Sequence, residues 1–248
     1  MPSAAEYAAK IEIEQHWLPK LAPHLPLPIP KPLAMGMPSN EYPWNWSIYE
    51  WIDGECAATN PITDLPLFAR TLAQFLNALH QIDPTDGPTP GAHNFFRGGP
   101  LATYDAQTRE ALTVLENIIN VTAATKLWDD ALASSWQKAP VWVHGDLSVG
   151  NLLTQNGNLS AVIDFGGMAV GDPACDLAIA WTLFNGESRK AFKTQLTLDA
   201  DTWTRGRGWA LWKSLIIAAG LTGGNTFTPA QAIEIINDLL EDHCLSKV

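Results

Sequence analysis

The sequence predicts an α+β fold in two unequal parts, a short N-terminal part and a larger, mainly helical C-terminal part. Three observations carry this expectation. Apolar residues fill 46% of the 248 positions and charged residues only 17%, which is ample material for a core. Beyond residue 60, apolar side chains recur at helical spacing over several long stretches. Between residues 141 and 163 that rhythm gives way to short β-type runs around an Asn-Gly dipeptide, the strongest short hairpin signal.

Taken in order, residues 4–18 carry a helical pattern that Pro19 should stop. Pro23, Pro26, Pro28, Pro30 and Pro32 fix φ repeatedly, so residues 25–33 should run extended into a loop through Gly36 and Asn40. Residues 46–52 alternate as a strand, and Asp53-Gly54 breaks it at an apparent hinge. Leu65, Phe68, Leu72, Phe75, Leu76, Leu79 and Ile82 mark one face of a helix ended by Asp83-Pro84. A second helix is expected from Tyr104 through Leu112, Leu115, Ile118 and Ile119, and a third over residues 123–136. Val141, Trp142 and Val143 read as a short strand, and residues 151–154 and 159–163 flank Asn156-Gly157 as a hairpin. Residues 177–184, 203–219 and 229–240 read as helices.

The charge balance, 15 cationic against 26 acidic side chains, leaves a formal net charge of −11 and no basic surface for phosphate contacts, so nucleic acid is not an expected partner. The clearest uncharged apolar run, residues 177–184, falls far short of the about 18 residues of a membrane span, so no membrane partner is expected. Met1-Pro2-Ser3 leads into helical sequence with no basic or apolar leader, which predicts a cytoplasmic protein. Three cysteines with no CxxC pair indicate neither a disulfide framework nor a thiolate zinc site.

The chemistry concentrates in His144-Gly145-Asp146-Leu147-Ser148-Val149-Gly150-Asn151, followed thirteen residues later by Asp164-Phe165-Gly166. A two-residue Asn156-Gly157 turn would pair Asn151 with Val162 and Asp164 with Val149. Asn151 and Asp164 would then be diagonal neighbours on one face, roughly 7 to 8 Å apart at the backbone, able to converge on one ion. An oxygen-only pair suits Mg2+, which keeps several waters and takes its remaining ligands from substrate phosphates. Asp146 lies in the loop feeding that hairpin, where a carboxylate can accept a proton from an incoming hydroxyl. The arrangement matches the His-x-Asp-x-x-x-x-Asn and Asp-Phe-Gly template of kinases.

With Gly145 in the loop and Gly171-Asp172-Pro173-Ala174-Cys175-Asp176-Leu177-Ala178 after Asp-Phe-Gly, the chain resembles the aminoglycoside phosphotransferase family. Glu14-Gln15-His16-Trp17-Leu18-Pro19 with the proline-rich connector, the strand before Glu55, and Asn94-Phe95-Phe96-Arg97-Gly98-Gly99-Pro100-Leu101 extend the resemblance over nearly the whole chain. It implies a protein-kinase-like bilobal fold with a truncated N-terminal lobe. Residues 1–53 would be a partial N-terminal lobe and hinge, and residues 54–248 the mainly helical C-terminal lobe with catalytic loop and acceptor site. It implies ATP- or GTP-dependent transfer of a phosphoryl group to a hydroxyl of a small molecule, aminoglycoside-like antibiotics included. By position, Asp146 would be the base, Asn151 and Asp164 the magnesium ligands, and Tyr49, Glu50, Trp51 and Ile52 the adenine-side hinge. Asp172 and Asp176 would anchor the catalytic loop.

The sequence departs from that family in having no GxGxxG turn, and Lys10 falls in the helix after the strand that would carry the phosphate-orienting cation. Either Glu12 or Glu14 would partner such a cation. A misplaced start, a truncated product, or a protein that binds nucleotide or small molecule without turnover all accommodate this departure. His144 is expected to hold the loop by hydrogen bonds, and His80, His93 and His243 lack zinc-ligand spacing. Glu234, Asp238, Glu241 and Asp242 form an acidic helix face, read as solvated, with a pocket wall for a cationic substrate as the alternative. Cys175 reads as packing rather than a nucleophile, and Trp181 and Phe184 fit either an acceptor pocket or the core.

Overall fold

A computed structural model describes residues 1–222 and 227–245. The N-terminal helix α1 spans Ala5–Leu21 and buries Ile11, Leu18 and Leu21 on one side. Pro19 does not stop it, contrary to expectation. It sits in the last turn, where it forfeits only its own N–H bond, and the Ala22 N–H still closes onto Leu18 O. The proline-rich connector then enters strand β1 (Pro32–Gly36), which pairs antiparallel with β2 (Trp46–Tyr49). Gly36, expected in a loop, is therefore a strand residue opposite Trp46. The indole lies across it so closely that a Cβ there would sit 2.0 Å from the ring.

Strand β3 (Glu55–Cys56) crosses to the larger part of the molecule, where it joins a hairpin described below. Helix α2 (Leu65–His80) begins with the Asp64 carboxylate accepting from Leu67 N–H and buries Phe68, Leu72, Phe75, Leu76 and Leu79, the face expected from spacing. Helix α3 (Asp105–Val114) ends sooner than its apolar pattern suggests, because Leu115 leaves helical ψ; Leu115 stays buried while Ile118 is exposed. Helix α4 (Val121–Leu132) is capped by Asn120. Strand β4 (Val141–Val143) follows, as expected.

The hairpin of β5 (Leu152–Gln155) and β6 (Asn158–Val162) turns on Asn156 and Gly157, with φ of 51° and 75°, the double positive φ that favours this dipeptide. Its register corrects the expected pairing. Gln155 faces Asn158 and Thr154 faces Leu159, but Leu153 faces Ala161, so Ser160 is an extra residue in a bulge. Beyond the bulge Leu152 faces Val162, and Asn151 O accepts from Ile163 N–H at 2.9 Å instead of pairing with Val162. Asp164 then takes φ +62° and leaves the ladder, so the expected pairing with Val149 does not form.

Strand β7 (Ala169–Gly171) runs antiparallel to β4. Residues 177–184, expected as one helix, divide into a 3-10 turn over Pro173–Ala178 and the short α5 (Ile179–Thr182). Helices α6 (Gly186–Gln195), α7 (Ala200–Ala218) and α8 (Pro229–Leu245) complete the fold. Helix α7 is buried along most of its length and packs on α4, α8 and the 3-10 turn after β7. Among the described residues no helix is long and apolar enough to cross a membrane.

Candidate active site

Strand β4 delivers His144 into a loop that two neighbours hold rigidly. Asp176, fully buried, accepts from the backbone N–H of His144 at 2.7 Å and of Gly145 at 2.8 Å. Burial pushes its carboxyl above the ordinary range, against the pull of His144 and of those two N–H groups. His144 accepts from Asp146 N–H through Nδ1 at 3.2 Å and meets Ile163 O through Nε2 at 3.0 Å. A neutral ring protonated on Nε2 satisfies both contacts, which is the loop-holding role expected. Gly145 has φ +83°, and a Cβ there would lie 2.0 Å from Gly167 O, so the backbones of the catalytic loop and the Asp-Phe-Gly turn touch at a point open only to glycine.

Asp146 and Asp164 flank that contact on its two backbone segments. Both carboxylates are exposed and line one cleft of about 1220 Å3. Asn151 is tied to the same loop, donating from Nδ2 to Asp146 O at 2.8 Å, which leaves its Oδ1 for another partner. Asp164 Oδ1 accepts from Gly166 N–H at 3.4 Å, and Phe165 anchors the turn between the rings of Phe75 and His144. Asp172 does not anchor the catalytic loop as expected. Its Oδ2 accepts from Arg205 Nε at 2.7 Å and its Oδ1 caps Ala174 N–H, so it clasps α7 to the turn after β7.

Tyr49, Glu50, Trp51 and Ile52 all line the same cleft. Of the two glutamates in question, Glu14 faces the cleft and accepts from Tyr49 O–H, whereas Glu12 is exposed and accepts from Asn45 Nδ2 at 2.8 Å. Burial raises the Glu14 carboxyl and, aided by Glu14, the Tyr49 phenol. Lys10, set aside in the sequence because of its place in α1, reaches into the cleft. Its Nζ stands 4.5 Å from the Phe95 ring centroid and 3.4 Å from where a Cβ on Gly166 would be. Burial lowers its pKa, opposed by Asp164 and Asp146.

A smaller pocket of about 150 Å3 opens at Asp146 itself, walled by Gly145, Leu147, Ser148, Cys175, Thr182 and α7. Sequence reasoning missed its charged and aromatic wall: Arg97, Trp209, Trp212 and Lys213. The Arg97 guanidinium lies 5.4 Å and 5.0 Å from the Trp209 and Trp212 ring centroids. Trp181 and Phe184 are core side chains and line neither cavity. The acidic face of α8 is also elsewhere: Asp242 accepts from Arg207 Nε at 2.6 Å and Trp181 Nε1 at 3.1 Å, and Asp238 pairs with Arg189. Burial pushes the Cys175 thiol well up, as packing requires.

A family model described as "Phosphotransferase enzyme family" matches residues 1–209. The hygromycin-B 4-O-kinase of Escherichia coli is 27% identical over 161 residues, 61% of this chain, and the chain spans about half the length of that curated relative, 47%. Two solved structures share the fold. The GDP and kanamycin complex of APH(2")-IIIa aligns with a TM-score of 0.62 at 18% identity, covering 100% of this chain and 86% of that one. A ternary complex of a thermostable APH(4)-Ia mutant with AMP-PNP and hygromycin B aligns with a TM-score of 0.64 at 19% identity, covering 96% and 84%.

Proposed function

The chain belongs to the phosphotransferase enzyme family, and on that premise we propose that it moves the γ-phosphoryl group of ATP or GTP onto a hydroxyl of a small molecule. One observation carries the reading: Asp146 and Asp164, from separate loops, expose their carboxylates into one cleft, with Asn151 tied to Asp146. Asp146 accepts the hydroxyl proton as the new oxygen–phosphorus bond forms. The bond from the γ-phosphorus to its bridging oxygen breaks, and the nucleoside diphosphate leaves. Residues 1–53 supply the nucleotide side, with Tyr49, Glu50, Trp51 and Ile52 against the base, and residues 54–248 the catalytic loop and acceptor pocket.

The oxygens of Asn151 and Asp164 would hold Mg2+. The Asp164 carboxylate is exposed in the cleft and Asn151 keeps Oδ1 beside its Nδ2 bond to Asp146 O, oxygen donors of the kind a hard cation takes along with water and phosphate oxygens. When bound, the ion neutralises charge on the phosphate oxygens. Lys10 adds a cation of the chain's own beside Asp164. Asp146→Asn tests the assignment: phosphoryl transfer to a panel of alcohols, read as ADP release, should fall by about 10^2 to 10^4-fold while nucleotide binding persists. Unchanged turnover in that variant removes Asp146 as the base. Thermal stabilisation by Mg-ATP with no ADP release in the wild type identifies a binding protein instead.

A further inference from the structure

The pocket beside Asp146 has the wrong sign for a polycation. Its described charged side chains are two cations, Arg97 and Lys213, against the single carboxylate of Asp146. Neither cation forms an ion pair among the described residues: Arg97 rests on the faces of Trp209 and Trp212, and Lys213 is half-buried on α7. Of the acid-rich face of α8, Asp238 and Asp242 are spent on Arg189 and Arg207, and none of its four acids lines the pocket. Two half-buried cations, one of them on an aromatic wall, form a receptor for an oxyanion, since guanidinium forks carboxylate and phosphate and an ammonium adds a point charge. The pocket's own volume, about 150 Å3, takes a single ring, as about 150 Å3 of apolar cavity holds one benzene, while Arg97, Trp212 and Lys213 also border the larger cleft.

Resting on the phosphotransferase reading, we propose that the acceptor is a hydroxy compound with one ring-sized apolar body and a carboxylate or phosphate group. Arg97 and Lys213 hold the anion while its hydroxyl faces Asp146. Trp209 and Trp212, themselves buried, back Arg97 and border the ring's space. Two cations against one carboxylate in this pocket disfavour amino-sugar polycations such as the kanamycin in the structure above. The balance of the transfer is unchanged: the hydroxyl proton passes to Asp146 and the anion takes no part in bond making.

The test is a matched series of para-hydroxymethyl arenes bearing a carboxylate, a phosphonate, a neutral amide or an aminomethyl cation. Each is titrated calorimetrically into the full chain without nucleotide. The anion of better fit should bind roughly tenfold or more tightly than the amide, which separates carboxylate from phosphate, and the aminomethyl compound should bind weakest. Arg97→Gln and Lys213→Gln, each checked for an unchanged circular dichroism spectrum, should erase the preference. Their Mg-ATP affinity should move less than twofold. Equal affinity across the series, or a preference for the cation, overturns the proposal with no variant needed. A loss of Mg-ATP affinity in both variants, with the anion preference intact, also overturns it and assigns the two cations to the nucleotide. Anion preference without any phosphoryl transfer in the presence of Mg-ATP would keep Arg97 and Lys213 as an anion site and sink the phosphotransferase reading, and with it the ligand's role as acceptor.

Discussion

Helix α7 serves two clusters of cations and indoles, and they use charge in opposite ways. Toward α8, Arg207 stacks on Trp181 and meets Asp242, while Arg189 stacks on the same ring and meets Asp238 and Asp242. Toward the cleft, Arg97 stacks on Trp209 and Trp212 and Lys213 stands beside it, with no carboxylate in ion-pair contact among the described residues. The stacking is alike and the missing carboxylates are the difference. A buried charge that finds its partner within the chain closes the fold; one left without a partner is poised for something outside it.

The largest effect should come from breaking the matched cluster. Arg207→Met leaves Asp242 half-buried with Trp181 and the more distant Arg189. It should cost about 3 kcal/mol in denaturant unfolding. Burial pulls the Asp242 carboxyl up, but the Arg207 hydrogen bond and charge outweigh it and hold it below its ordinary value of 3.8. The depressed value means that this contribution is present above pH 3.8 and is lost as pH falls through the folded-state value. The variant should therefore lose part of the acid-induced fall in stability; an unchanged midpoint would show that the cluster is decorative.

The next contrast lies within the active site. Asp176→Asn turns an amide NH2 toward one of the N–H groups of His144 and Gly145, and should cost about 2 kcal/mol with a parallel loss of activity. Asp146→Asn, the same chemical change on an exposed side chain, should shift stability by less than about 0.5 kcal/mol and lower transfer by about 10^2 to 10^4-fold. If both lose stability equally, Asp146 belongs to the scaffold.

The sequence made the scaffold's local features readable and hid those assembled from distant residues. Asn156-Gly157, Val141 to Val143 and the apolar face of α2 carry their signal within a few positions. Strands β3 and β7 have two and three residues and exist only through their partners β5 and β4. Helix α6 escaped notice because its only buried large apolar side chain is Phe192, with the contact surface supplied by α2. Spacing predicted that Asp146, Asn151 and Asp164 meet; the Ser160 bulge changes the register that prediction used, and the cleft is lined by Asp146 and Asp164, with Asn151 half-buried behind the loop on Asp146 O. Lys10, Arg97 and Lys213 come from α1, a loop after α2 and α7, and no local pattern joins them.

The smallest predicted effect has an unusual sign. Lys213 is half-buried beside Arg97, and burial is the main cause that lowers its pKa, with Arg97 adding to it and Asp146 opposing. A lysine whose folded-state value lies below the ordinary 10.5 imposes a cost that is fully present below that folded value. The cost is relieved as pH rises through it toward 10.5. Lys213→Met should then raise stability at neutral pH by up to about 1 kcal/mol, as replacing residues kept for function often does. The gain should shrink in alkaline buffer, where the wild type no longer carries the charge. Thermal unfolding of both proteins from neutral to alkaline pH measures the difference. A variant less stable than the wild type at neutral pH would mean that Lys213 has a stabilising partner within the chain and belongs with the matched cluster.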